Sequence, residues 1–214
     1  METLKINEIF YSIQGESSFS GWPTVFIRTS GCHLRCDYCD TTYAYHEGNK
    51  ISVEDILAQV KSYGCQHICL TGGEPLLQKA SYQLLKRLCD LGYQVSLETS
   101  GDIDCQNVDP RVLKVIDIKT PDSGESDTFN LSNLKYVGPK TEFKFVICSH
   151  KDFVFAEEFI KEHKLTTRST VYYSPSFKQT HAQWLAESMI AKKSPARLQL
   201  QLHKFIWPES QRGV

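Results

Sequence analysis

Apolar residues recur in two alternating rhythms along the 214-residue chain. Short runs of branched and aromatic residues at Thr24 to Arg28, His67 to Leu70, Gln94 to Leu97, Val112 to Ile118, Glu142 to Cys148 and Val171 to Tyr173 predict strands. Between several of these runs the apolar spacing lengthens to the helical period. Val53, Ile56, Leu57 and Val60 follow it behind Ser52 and Asp55, whose three-residue spacing makes a capping box and a helix start. Further helices are predicted over Tyr82 to Leu91, which Gly92 stops, from about Phe153 to His163, and around Trp184. Leu198 to Leu202 reads as the last strand, and Leu4 to Tyr11 is a short mixed segment that runs into a turn at Gly15.

Strand and helix thus alternate for most of the length, which favours an α/β fold with a mainly parallel sheet covered by helices. Polar and glycine-containing motifs fall at the C-terminal ends of several predicted strands, where loops on one face of a barrel or open sheet build an active site. Asp102 to Pro110 is irregular and Pro121 to Asn130 is a polar loop containing Gly124, so fewer helices than strands are expected.

Hydrophobic residues make up 41% of the chain, enough for a core, and the length suits one domain spanning 1–214. No apolar run approaches the roughly 20 residues that span a bilayer, and no secretion signal opens the chain. The expected compartment is the cytoplasm, with Met1 to Lys5 as the mature start. The 24 basic and 25 acidic residues leave a net charge of -1, which offers no diffuse attraction for nucleic acid. Eight cysteines in such a chain point to metal binding or burial rather than to disulfides.

Three of them, Cys32, Cys36 and Cys39, share one polar loop, 31–41. A closed zinc site would need a fourth ligand, and only His33, adjacent to Cys32, or His46, seven residues past Cys39, is near. A buried trio without ligand fits poorly, since Cys36 sits between Arg35 and Asp37. An iron-sulfur cluster is the sharper reading. Three thiolates on a [4Fe-4S] cube leave one iron free to bind a reacting group. Cys65, Cys69, Cys89, Cys105 and Cys148 are read as packing.

The C-x3-C-x2-C spacing with Tyr38 before the last cysteine resembles the cluster motif of the radical S-adenosylmethionine superfamily, and Gly72-Gly73-Glu74-Pro75 falls where that superfamily meets the methionine amino group. Five stretches resemble more narrowly the 7-carboxy-7-deazaguanine synthase family: Tyr11 to Glu16, Phe26 to Arg28, the cysteine loop closing in Asp40-Thr41, Glu98 to Gly101, and Gln201 to Pro208. The resemblance implies a partial, modified (β/α) TIM-like barrel of the radical S-adenosylmethionine type with reduced helix content, and a C-terminal cover over the active site at about 198–214. It implies a homodimer served by a flavodoxin- or ferredoxin-like electron donor. The implied reaction is a carbon-nitrogen lyase step, the radical contraction of 6-carboxy-5,6,7,8-tetrahydropterin to 7-carboxy-7-deazaguanine with loss of ammonia. A glycyl-radical-enzyme activating protein, equally short and with the same cysteine spacing, is the alternative.

By the same resemblance, Cys32, Cys36 and Cys39 hold the cluster, Thr41 binds Mg2+, and Gly72, Gly73, Glu74, Glu98, Thr99, Ser100 and Lys119 contact S-adenosylmethionine. Gln14, Glu16, Arg28 and His203 bind the pterin: a carboxylate can accept the paired N-H donors of an aminopyrimidinone, and a guanidinium fork suits a carboxylate. Rival readings are a surface pair for Glu16 and Arg28, a loop cap for Thr41, a structural salt bridge for Lys119 and a core position for His203. Lys144, which alternates with Phe143 and Phe145, either lines the barrel mouth or faces solvent, and Lys204 is a candidate for closing the pocket. No acid or base group is singled out.

Overall fold

The computed structural model describes residues 2–177, 179–208 and 211–214, so residues 209–210 of the expected cover lie outside the described residues. Among the described residues nine strands form one sheet: β1 (Thr3–Ile13), β2 (Pro23–Thr29), β3 (Asn49–Ser52), β4 (His67–Gly72), β5 (Gln94–Thr99), β6 (Leu113–Asp117), β7 (Thr141–Ile147), β8 (Thr170–Pro175) and β9 (Arg197–Leu198). Their order is β3-β1-β2-β4-β5-β6-β7-β8-β9. Neighbours from β2 to β9 are parallel, whereas β1 runs antiparallel to both β2 and β3. β3 and β9 are the free edges, so the sheet is open.

Helices α1 (Val53–Ser62), α2 (Ala80–Asp90), α3 (His150–His163) and α4 (Ala182–Lys192) join successive parallel strands, and a short α5 (His203–Ile206) follows β9. The predicted capping box forms: Ser52 Oγ accepts from the Asp55 backbone N–H at 3.1 Å. The connections after β5 and β6 carry only 3-10 turns, at Cys105–Asn107 and at Pro121–Ser123, Ser126–Thr128 and Leu131–Tyr136. These are the two segments that the sequence marks as irregular.

Side chains alternate across each strand, and the two faces differ in chemistry. Val25, Ile27, Ile68, Leu70, Val95, Leu97, Phe143, Phe145, Val171 and Tyr173 join Leu84, Leu88, Phe153 and Ile160 of the helices in one apolar core. Each large side chain buried this fully contributes about 1.5–3 kcal/mol. The alternate positions, among them Arg28, Thr71, Glu98, Asp117 and Lys144, turn to the other face.

Two expectations change. Leu4 to Tyr11 is part of an 11-residue strand, β1. Leu198 to Leu202 is strand only at Leu198, paired with Tyr173, because the next residues spend their polar groups elsewhere. Gln199 grips the backbone of Ser17 from both sides, accepting from its N–H at 2.7 Å and donating to its carbonyl at 2.9 Å. Gln201 donates to Glu16 at 2.6 Å. The segment therefore crosses the sheet end instead of extending its edge.

Candidate active site

The cluster loop leaves β2 and is pinned from two sides. Gly31 N–H donates to the Ala44 carbonyl at 2.9 Å, and Asp37 N–H donates to the Ser123 carbonyl at 3.0 Å. The Glu125 carboxylate accepts from the Arg35 N–H at 2.6 Å, while the Arg35 guanidinium donates to the Cys32 carbonyl at 2.8 Å and lies 4.4 Å from the Tyr45 ring centroid. The polar, helix-poor connection after β6 is thus a brace for the cysteine loop. All three thiols are free and half-buried.

Gly72 and Gly73, at the end of β4, close against this loop. Gly72 adopts φ +140, a backbone region that favours glycine. A Cβ on Gly73 would strike the Gly31 carbonyl oxygen and come within 2.9 Å of Cys32 Cβ. Gly73→Ala is therefore expected to displace the cysteine loop and cost about 1–3 kcal/mol. Thermal unfolding checks the cost, and iron content after reconstitution checks the displacement; an alanine variant that melts and loads iron like wild type would defeat it.

Glu74 behaves differently from its neighbours. Its side chain is fully buried, does not line the cavity, and accepts from Thr99 Oγ1 at 2.8 Å, Ser100 N–H at 2.8 Å, Ser100 Oγ at 2.7 Å and Leu76 N–H at 3.0 Å. Its carboxylate ties the glycine turn to the end of β5. Burial raises its pKa against the pull of these donors.

A cavity of about 520 Å³ opens at the C-terminal strand ends. It is lined by Cys32, Cys36, Cys39, Thr41, Gly72, Gly73, Glu98, Thr99, Ser100 and Lys119, and equally by Gln14, Glu16, Arg28 and His203. Every site residue that the resemblance implies, except Glu74, thus reaches one cavity. Thr41 makes no side-chain cap bond to the short turn that follows it, and its hydroxyl lies 3.9 Å from Cys39 Sγ.

Charged groups in the cavity are paired, though not as a surface reading of Glu16 with Arg28 would have it. Glu16 is buried and meets Lys144 Nζ at 2.8 Å; Lys144 also lies 3.2 Å from Asp117, which in turn meets Lys119 at 3.2 Å. Burial alone would lower the Lys144 pKa, yet Glu16 and Asp117 hold it well above its ordinary value. Burial likewise works to raise Glu16, and Lys144, together with His203 and Gln201, more than reverses it. Arg28 instead donates from Nε to Glu8 at 2.8 Å. Lys119 is both a salt-bridge partner and a cavity residue, with its ammonium 5.5 Å from the Tyr38 ring centroid.

Gln14 bridges the segment, accepting from the Glu16 N–H at 3.2 Å and donating to Glu98 at 3.3 Å, whose other oxygen accepts from Thr71 at 2.9 Å. His203 arrives from the C-terminal segment, where Leu202 N–H donates to the Gly15 carbonyl at 3.2 Å. Burial lowers its pKa, so the imidazole is neutral at pH 7. Lys204 pairs with Asp40 at 2.7 Å across the cavity rim. Lys144, Asp117 and Gln201 are cavity residues that sequence reasoning left without a role. For Lys144 the signal was the alternation with Phe143 and Phe145, which puts it opposite the aromatic core.

Comparison with known proteins bears on the family and the fold. The family model described as the radical SAM superfamily matches residues 26–119. A 7-carboxy-7-deazaguanine synthase of Chlorobaculum tepidum is 43% identical over 214 residues, covering 99% of this chain and 97% of its own. The enzyme of the same name from Koribacter versatilis is 39% identical, covering 99% and 100%. The crystal structure of QueE from Escherichia coli superposes with a TM-score of 0.79 at 24% identity, over 93% of this chain and 94% of that one. The open sheet with two helix-free connections is therefore a partial TIM-like barrel of reduced helix content.

Proposed function

The chain belongs to the 7-carboxy-7-deazaguanine synthase family of the radical S-adenosylmethionine superfamily, and we propose that it works as a carbon-nitrogen lyase that contracts 6-carboxy-5,6,7,8-tetrahydropterin to 7-carboxy-7-deazaguanine and ammonia. Its setting on this reading is the cytoplasm, as a single-domain homodimer fed electrons by a flavodoxin- or ferredoxin-like protein. No helix among the described residues is long and apolar enough to cross a membrane. The observation that carries the reading is the meeting of the three-cysteine loop, the Gly72-Gly73 turn and the Gln14, Glu16, Arg28 and His203 group around one cavity. Full-length relatives carry the synthase name, and no feature of the cavity favours the glycine-activating alternative.

The donor chemistry fits a cluster. Among the described residues no three His, Cys, Asp or Glu side chains converge to hold one metal ion, as a mononuclear site requires, whereas a cube takes each thiolate on a different iron. Burial pushes the Cys36 thiol up to about 11, and coordination to iron would hold its thiolate form. Cys32, Cys36 and Cys39 would hold [4Fe-4S], and Gly72, Gly73, Glu98, Thr99, Ser100 and Lys119 would border S-adenosylmethionine. Thr41 would give a hydroxyl to Mg2+, an ion that keeps most of its waters. When bound, the reduced cluster and S-adenosylmethionine would supply radical chemistry at the pterin.

The chain's own residues position the substrate and shield it. Glu16 engages each carboxylate oxygen once, to Lys144 and to Gln201, which leaves one lone pair per oxygen for a pterin N–H. Neutral His203 can donate or accept without adding charge. Arg28 faces the carboxylate, and Lys204 with Asp40 narrows the rim against water.

The test is an anaerobic reaction with reconstituted cluster, reductant, S-adenosylmethionine, Mg2+ and 6-carboxy-tetrahydropterin, read by mass analysis. The expected product is 7-carboxy-7-deazaguanine; cofactor cleavage with the pterin untouched would retain the superfamily and overturn the substrate. Arg28→Ala is expected to raise the pterin KM at least about 30-fold, the loss typical of truncating one partner of a buried charge pair. An unchanged KM would remove Arg28 from substrate binding.

A further inference from the structure

The register of β1 against β2 slips between Ile6 and Glu8: Ile6 faces Thr29 and Glu8 faces Arg28, so two steps on β1 match one on β2. Such a bulge turns the following side chains to the opposite face, a device common beside active sites. Leu4 and Ile6, before it, lie in the apolar core; Phe10, after it, lines the cavity. Glu8, the first residue past the slip, is thereby placed directly across from Arg28 on the cavity side of the sheet.

Glu8 does not itself line the cavity. Its Oε1 accepts from Arg28 Nε at 2.8 Å and from Tyr43 OH at 3.0 Å, while the Arg28 guanidinium carbon lies 5.6 Å from the Phe10 ring centroid. Among the described residues no hydrogen bond occupies Arg28 Nη1 or Nη2. A guanidinium held through Nε, with its plane limited by an aromatic neighbour, has two terminal nitrogens left for a bidentate carboxylate.

We infer that Glu8 is a positioning residue that acts through Arg28, fixing the guanidinium so that its free fork meets the substrate carboxylate. This rests on the reading of Arg28 as a substrate contact. Pre-ordering a long side chain removes an entropic cost from substrate binding, and the effect belongs in KM. Glu8 also balances the Arg28 charge while the cavity is empty.

The test uses the anaerobic holoenzyme and five variants: Glu8→Ala, Glu8→Asp, Glu8→Gln, Arg28→Ala and the double variant Glu8→Ala with Arg28→Ala. Glu8→Ala is expected to raise the pterin KM about tenfold, the worth of one hydrogen bond between charged groups, with kcat and the KM for S-adenosylmethionine little changed. Glu8→Asp keeps the charge but shortens the reach, so it should show the same direction of change if the alanine variant does not fold. Glu8→Gln still accepts from Nε and should recover most of the affinity. In an Arg28→Ala background the Glu8→Ala effect should vanish. An Arg28→Ala loss of affinity with no loss in either Glu8→Ala or Glu8→Asp, or a Glu8 effect that persists without Arg28, overturns the positioning role. Normal pterin affinity in Arg28→Ala defeats instead the reading on which the role rests, and the role with it.

Discussion

Cys36→Ala is expected to abolish iron-sulfur assembly and synthase activity together, with an activity loss well beyond the roughly 100-fold that follows from removing an outer-shell partner of a metal site. Cys36 is held in a loop whose backbone is fixed independently of any metal, through Asp37 to Ser123 and Arg35 to Glu125. The variant should therefore keep its fold while losing colour, iron and sulfide. Cys39→Ala and Cys32→Ala should behave alike, because three thiolates are already one fewer than the irons of the cube. Cys148→Ala supplies the contrast: its thiol does not line the cavity, and iron content should be normal. A Cys36→Ala protein that retains full iron and turns over the pterin would sink the ligand assignment.

Legibility in the sequence followed the range of the forces involved. The parallel strands were readable because each buries one face on helices, so β7 prints its alternation directly as Phe143, Phe145 and Ile147 against Glu142, Lys144 and Val146. β1 was read only as a mixed segment since the bulge after Ile6 reverses which face its side chains take, and a reversed period no longer looks like a period. The cysteine loop and the glycine turn were readable as local motifs. That they meet required the parallel pairing of β2 with β4, which aligns Thr29 with Gly72.

Beyond a salt bridge at Lys119, the charge network was not readable. Lys144 and Glu16 are 128 residues apart, and Gln201 and Glu16 are 185 apart. Alternation told which face of β7 carries Lys144 but not that this face encloses two carboxylates. The burial of Glu74 was hidden for a related reason: its motif lies beside the cavity, but its carboxylate turns inward to three donors at the end of β5 and to Leu76 N–H in its own turn.

Those long-range ion pairs carry the second large effect. Lys144→Met is expected to destabilise the fold by about 3–5 kcal/mol at pH 7, since it leaves Glu16 and Asp117 as buried carboxylates stripped of a shared cation. For a chain of this size the melting temperature should fall on the order of 10 °C. Asp117 keeps Lys119 and Glu16 keeps Gln201, which sets the loss below that of removing every partner. The sign of the pH dependence follows from the shifts. Burial raises both carboxylates, but Lys119 and Lys144 pull Asp117 below its ordinary value, and Lys144 does so for Glu16. Their contribution is present above the unfolded carboxylate pKa of about 4 and is lost as pH falls through the lower folded values. Lys144, raised, contributes fully below the unfolded lysine pKa of about 10.4 and loses its share as pH rises from there through its folded value. The stability gap between wild type and Lys144→Met should therefore be widest from about pH 5 to pH 10 and close in acid, where the carboxylates of both proteins take up protons. Adding Glu16→Gln to Lys144→Met should restore part of the loss by removing one stranded charge. Thermal unfolding across that pH range measures all of this, and a gap that stays constant into acid would mean that Lys144 stabilises the fold otherwise than by its charge.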